Sequence, residues 1–227
     1  MAISYDGITW QGRGGKTNLF TGYGRSVAWN GSMWVAVGEG ANTIAISYDG
    51  LNWQGRGKDT FTTWGHGVAW NGSMWVAVGE GTNSIATSYD GITWQGRGKD
   101  IFTSWGESVA WNGSMWVAVG FGTDNSIATS YDGITWQGRG KGGLTDYCYG
   151  VACNTKREHK ITFPANRMVA VGGGTNTIAY SDDNGKTWEG LGKDIFTDYG
   201  YDVAWNGSMW VAVGQGTTHS IATSYDG

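Results

Sequence analysis

The tetrapeptide Ser-Tyr-Asp-Gly or a close variant begins at Ser4, Ser47, Ser88, Ser130, Ser181 and Ser224. Successive copies are 43, 41, 42, 51 and 43 residues apart. A period in this range means one supersecondary unit copied along the chain, so the unit has to be read before any local motif.

The copy from Val68 to Ser108 serves as template. It reads V-A-W-N, the turn N-G-S, M-W-V-A-V-G, a short loop at Glu80-Gly81-Thr82-Asn83, S-I-A-T-S-Y, the turn Asp90-Gly91, and I-T-W-Q-G. Asn-Gly and Asp-Gly between β-branched and aromatic runs are strong hairpin signals. The unit is therefore predicted to hold four antiparallel strands, A to D, in up-and-down order. Gly recurs too often, and a 3.6-residue period is too poorly sustained, to predict helix anywhere. On strand B, Trp75 and Ala77 share one face while Val76 and Val78 share the other, so both faces must be covered. A small sheet buried on both faces and repeated at this period predicts the blade of a β-propeller.

The V-A-[WC]-N start recurs at Val27, Val68, Val109, Val151 and Val203, which predicts an all-β, five-bladed propeller as a single domain over residues 1–227. The last copy ends at Gly227 without its I-T-W-Q-G strand, and residues 8–14 carry that strand at the other end. Joining the two would close the ring and hide its edges. Residues 1–7 then duplicate residues 221–227, so two segments compete for one place. A closed monomer is the expectation, with a swapped or linked oligomer as the other outcome of that duplication. The longest insertion, Thr155 to Arg167, carries K-R-E-H-K and the single proline, Pro164, and reads as a solvated extension of a hairpin.

Composition narrows the function. The 41 Gly, 15 Trp and 11 Tyr suit short strands, tight turns and large packed rings. A net charge of −4 gives no basic footprint for nucleic acid, and Gly, Asn or Ser interrupts every apolar run well short of a membrane helix. The first residues, Met-Ala-Ile-Ser-Tyr-Asp-Gly, show no secretion signal. Cys148 and Cys153 sit five apart on one predicted strand, ~16 Å at strand rise and on opposite faces, so they are expected as free buried thiols. Free thiols lean toward a reducing compartment, although localisation itself stays open.

Ser181-Asp182-Asp183-Asn184-Gly185-Lys186-Thr187-Trp188 fits the pattern S-x-D-x-G-x-T-W, and the other copies shorten it by one residue. This resembles the Asp-box, or bacterial neuraminidase repeat, and the resemblance runs through every unit. It implies a propeller hairpin in which the box fastens the turn between the third and fourth strands, away from the ligand face. On that reading Ser88, Asp90, Gly91, Thr93 and Trp94, with Ser181, Asp183, Gly185, Thr187 and Trp188, are structural.

Sialidases share the box, but their resemblance implies six blades, an arginine triad and a tyrosine nucleophile. Here most arginines belong to a repeated G-R-G (Arg13, Arg56, Arg97, Arg139), and the carboxylates nearest the expected channel, Glu107 and Asp202, hold non-equivalent positions. A glycosidase would need paired carboxylates across the channel, so no enzyme activity is predicted. His66, His159 and His219 fall at unrelated places in the repeat, so no metal or other cofactor is predicted.

The remaining candidates lie in the D–A connection, K-D-I-F-T-S-W-G in the third copy. It places Tyr23, Trp64, Trp105, Tyr147 and Tyr199 two residues after Thr21, Thr62, Thr103, Thr145 and Thr197, with Asp59, Asp100 and Asp194 upstream. An aromatic beside Thr and Asp can stack on a sugar ring while the polar groups bond its hydroxyls, and repeated copies add avidity. The primary expectation is therefore a non-enzymatic, multivalent, lectin-like module for glycans. The alternative is a structural or protein-interaction scaffold, including an engineered symmetric one, in which these rings pack between blades. Copies differ most just before V-A-W-N, at Arg25, His66, Glu107, Tyr149 and Tyr201.

Overall fold

The computed structural model describes residues 2–12, 19–144, 147–154 and 167–226. Those residues form β-strands, turns and bends without helix. A hairpin of β1 (Ala2–Ile3) and β2 (Gln11–Gly12) stands first. Unit one follows as β3 (Gly24–Trp29), β4 (Trp34–Gly38), β5 (Ile44–Ser47) and β6 (Gln54–Gly55). Unit two is β7 (Trp64–Trp70), β8 (Trp75–Glu80), β9 (Ile85–Ser88) and β10 (Gln95–Gly96). Unit three is β11 (Trp105–Trp111), β12 (Trp116–Phe121), β13 (Ile127–Ser130) and β14 (Gln137–Gly138). Unit four is β15 (Cys148–Cys153), β16 (Met168–Gly172), β17 (Ile178–Ser181) and β18 (Glu189–Gly190). Unit five has three strands, β19 (Tyr199–Trp205), β20 (Trp210–Gln215) and β21 (Ile221–Ser224).

Within every unit each strand pairs antiparallel with the next, as the hairpin signals predict. The Asn-Gly-Ser turn closes because Asn71 Oδ1 accepts from the N–H groups of Ser73 and Met74 at 2.9 and 2.7 Å, while Gly72 takes a φ of 101°. Strand A begins four residues earlier than V-A-W-N suggests at Trp64, Trp105 and Tyr199, and three earlier at Gly24 and Cys148. It reaches that far by a β-bulge that skips one residue in each unit: Arg25, His66, Glu107, Tyr149 and Tyr201. The positions that differ most between copies are thus the bulged residues of strand A, inside the sheet edge and not ahead of it.

Neighbouring units are held by apolar contacts between their sheet faces. Val35, Val37, Ile44 and Ile46 of unit one meet Phe61, Val68, Trp75 and Ala77 of unit two. The same arrangement recurs with Val76, Val78 and Ile85 against Phe102, Val109 and Trp116, and again between units three and four and units four and five. Each seam removes a whole sheet face from water, which at roughly 25 cal/mol per Å² is the main stabilising contribution of the array. Glu39 bridges Trp64, and Glu80 bridges Trp105, so backbone pairing also crosses the seam at one end.

The strand expected over residues 8–14 is present at Gln11–Gly12, but its partner is Ala2–Ile3 and not β21. The register, Ala2↔Gly12 and Ile3↔Gln11, repeats that of Ala86↔Gly96 and Thr87↔Gln95 in unit two. Of the two duplicated segments, the N-terminal one therefore pairs with the fourth-strand sequence. Most of the Thr155–Arg167 insertion lies outside the described residues, as does Thr145.

Candidate binding face

The D–A connections and the B–C loops share one end of the units. Gly22, Thr63, Ser104 and Asp198 donate backbone N–H groups to the carbonyls of Glu39, Glu80, Phe121 and Gln215. The candidate threonines take part in the same stitching. Thr62, Thr103 and Thr197 accept through Oγ1 from the N–H groups of Thr82, Thr123 and Thr217 at 3.1, 2.9 and 3.1 Å. Their hydroxyls are thus engaged in holding loop to loop. Asp59, Asp100 and Asp194 are exposed on the same connections.

The candidate aromatics come together with the bulged residues. Trp105 and Tyr147 stack with centroids 6.1 Å apart, and Phe121 wedges against both at 5.0 and 4.7 Å. Tyr149, at a bulge, stacks on Tyr147 at 5.9 Å and meets Tyr199 and Tyr201 edge-on at 6.0 and 5.8 Å. Trp64 meets His66 edge-on at 5.8 Å, and the Arg25 guanidinium lies 5.1 Å from the centre of the Trp64 ring. The result is a belt of rings crossing several units. Most are half-buried against one another, whereas Tyr23 is 69% exposed and Tyr201 45%. Burial and the neighbouring tyrosines push the Tyr149 hydroxyl above its ordinary pKa.

The bulges explain how strand A supplies this belt. An extra residue re-aims one side chain out of the regular pleat; Arg25 and Tyr201 are exposed there, Glu107 and Tyr149 half-buried, and His66 buried. Glu107 Oε2 lies 3.2 Å from Nδ1 of the buried His66, although neither ring nitrogen makes a well-aligned hydrogen bond. Among the described residues no group of three or more His, Cys, Asp or Glu could hold a metal ion.

Sequence reading missed a recurrent asparagine at this end. Asn83 Oδ1 accepts from Gly98 N–H at 2.9 Å and its Nδ2 donates to Thr60 O at 2.8 Å. Asn42 and Asn176 make the equivalent pairs, to Gly57 and Leu19 and to Gly192 and Gly143. Asn125 accepts from Gly140 in the same way. Asn42, Asn83 and Asn176 thus tie the end of strand D to the connection that precedes their own unit. The aligned residue in unit five is His219, and that is the unit without a fourth strand. The side chain needs a glycine beneath it, since a Cβ on Gly55, Gly96, Gly138 or Gly190 would fall on the asparagine.

The Ser-x-Asp turns occupy the opposite end, against the A–B turns, where a Cβ on Gly91 would fall on Met33. Ser88 Oγ donates to Asp90 Oδ1 at 3.0 Å and accepts from Gly91 N–H at 2.8 Å. The same Asp90 oxygen accepts from Ile92 and Thr93, while Trp94 Nε1 donates to Gly91 O. In unit four Asp183 accepts from Lys186 and Thr187, and the additional residue, Asn184, takes a φ of 62°. These hydrogen bonds, the Thr93 N–H first, hold Asp90 at about 2 against the upward push from burial. The carboxylates here are occupied by their own turns.

No protein-family model matches the chain, and no curated protein matches it. Solved structures do. The WD40 beta propeller domain of Doa1 superimposes with a TM-score of 0.62 at 12% identity, covering 90% of this chain and 68% of that one. A structure of the Nidogen/Laminin complex gives 0.62 at 13% identity over 84% and 72%. The computationally designed Ika8 protein gives 0.59 at 14% identity over 89% of this chain, which spans 58% of the length of Ika8. At such identities the likeness is one of fold, and it joins the repeated, both-faces-buried sheets in one conclusion: the chain has the β-propeller fold.

Proposed function

We propose that this chain is a non-catalytic β-propeller scaffold, an array of five blades that displays one loop-bearing face to a macromolecular partner. The observation that carries this reading is the aromatic belt, most of whose rings are half-buried in contact with one another. A ring that stacks on Tyr147 or Trp105 has little free face for a sugar, and the adjacent threonine hydroxyls are committed to the B–C loops. Likeness to computationally designed propellers supports the scaffold reading as well. The Ser-x-Asp turns support kinship with Asp-box propellers, with those turns as fasteners. In this reading the fifth blade is completed by the fourth-strand sequence of residues 8–14.

Glycan binding is the second reading, favoured by the exposed rings of Tyr23 and Tyr201. A glycan array run with the native chain and with Trp64→Ala/Trp105→Ala separates the two. The scaffold reading expects no retained glycan and a lower melting temperature for the variant, each lost ring forfeiting about 1 kcal/mol of pair energy besides its burial. A glycan retained by the native chain and lost in a variant of unchanged melting temperature would overturn it.

A further inference from the structure

The four seams between units use two different faces. The leading face presents two valines of strand B and the first residue of strand C, such as Val76, Val78 and Ile85 of unit two. The trailing face presents an aromatic or leucine of the D–A connection, the valine of strand A and the first residue of strand B, such as Phe61, Val68 and Trp75. Every leading face from unit one to unit four is covered by the next trailing face, and no apolar cluster among the described residues joins unit five to unit one.

Both halves of a fifth seam are nevertheless present and open. On unit one Val27 is 53% exposed where Val68 is 6%, and Phe20 and Trp34 are half-buried where Phe61 and Trp75 are fully buried. On unit five Val213 is 38% and Ile221 64% exposed, where Val78 is 0% and Ile85 2%. The residue types match those of the internal seams position for position. Unit five also lacks a fourth strand, and the sequence for it stands in the β1–β2 hairpin at the other end of the chain.

We infer that the leading face of unit five docks on the trailing face of unit one in a second copy of this chain, continuing the internal seam across two molecules. The occupant follows from the internal seams, because the surface that fits a leading face four times over is this chain's own trailing face. Within one molecule these two faces do not cover each other, since Val27, Val213 and Ile221 all remain exposed. The seam is heterologous, so copies add head to tail and form a closed pair, a larger ring or an open chain. In the assembly β2 of one copy exchanges its partner β1 for β21 of the next and becomes the fourth strand of that unit. This rests on the reading that residues 8–14 complete unit five, and it names the molecule that supplies them.

Light scattering of the full chain over a range of concentrations is the first test. Mass rising above the 24.3 kDa of one chain is expected, and a single-chain mass at every concentration would overturn the inference. Val27→Glu spoils only the trailing face and Ile221→Glu only the leading face. Each variant alone should run as one chain, and their equimolar mixture should double to a two-chain mass. Assembly of either variant alone, or none in the mixture, counts against the seam. Should a variant fail to fold by circular dichroism, the pair Gln11→Cys/Thr223→Cys occupies positions whose counterparts, Gln95 and Thr87, are Cα partners. A disulfide between chains supports the inference. A disulfide within one chain overturns it while sparing the strand-completion reading, and no disulfide sinks both.

Discussion

Replacing Asn83 with Ala should unfasten the fourth strand of unit two. The side chain makes two hydrogen bonds, from Gly98 N–H at 2.9 Å and to Thr60 O at 2.8 Å, and it is half-buried between them. Each such bond contributes about 1 kcal/mol net, and leaving a backbone partner unpaired away from water adds a further cost on the order of 1 kcal/mol. Water reaches part of the site, so the sum expected is about 2–3 kcal/mol. For a chain of this size that corresponds to a fall of roughly 4–12 °C in melting temperature, given about 2–4 °C per kcal/mol. Asn83→Asp keeps the acceptor and loses the donor, so it should fall between the two. Thermal melts followed by circular dichroism or calorimetry read the difference directly. A melting temperature within about 1 °C of the native chain for Asn83→Ala would refute the fastening role, because no relaxation of the loop restores two backbone partners at once.

Acid should loosen the turns at the other end. Thr93 N–H, for Asp90, and Thr135 N–H, for Asp132, are the foremost groups holding these carboxyls at about 2. For Asp183 burial pushes upward, and the hydroxyl and N–H of Thr187 outweigh it to reach a similar value. A pKa lowered on folding stabilises the native state above the unfolded value of about 3.9 and loses that stabilisation as pH falls toward the folded value. The melting temperature should therefore be flat from about pH 8 to 5 and decline from about pH 4 to 2. These groups lie near solvent, so each contributes modestly; a flat profile down to pH 2, or no blunting of the decline in Asp90→Asn, would contradict the assignment. Burial also pushes the Cys148 thiol far above its usual range, and the apolar surroundings of Cys153, which is half-buried rather than buried, push its thiol to about 12. Neither should react with a thiol reagent at pH 8 until the chain unfolds, and rapid labelling of the native protein would show that one of them is open to solvent.

What the sequence disclosed depended on how far apart the interacting groups lie. The Asn-Gly and Asp-Gly turns were legible because their chemistry is local: Asn71 caps residues two and three further on, and Asp90 does the same. The beginning of strand A was not, since Trp64-Gly65-His66-Gly67 has little intrinsic preference for a strand. It becomes one by pairing with β8, around a bulge whose register no periodicity announces. The aromatic positions were found, but whether those rings face solvent or one another depends on the seam geometry, and they mostly face one another. The asparagine escaped because its partners lie 15 and 23 residues away. The one trace available was its recurrence before Ser or Thr at Asn42, Asn83, Asn125 and Asn176, broken at His219.

Ring closure is the feature a repeat can encode least. Near-identical seams impose a near-constant rotation between units, so five units close only if that rotation, taken five times, completes a turn. The repeat specifies the residues of the seam and thereby its angle, yet nothing in the count of copies adjusts that angle to the count. When the two disagree, the array keeps its seams and leaves a gap, because opening one seam exposes a single pair of faces whereas straining every seam disturbs packing throughout. Val27 and Ile221 show the gap on its two sides, each exposed while its internal counterparts are buried or, at Ile178, half-buried. A repeat protein in this state carries the two halves of its own interface, and on the inference drawn above the apolar driving force that built the four internal seams would act on the fifth between molecules.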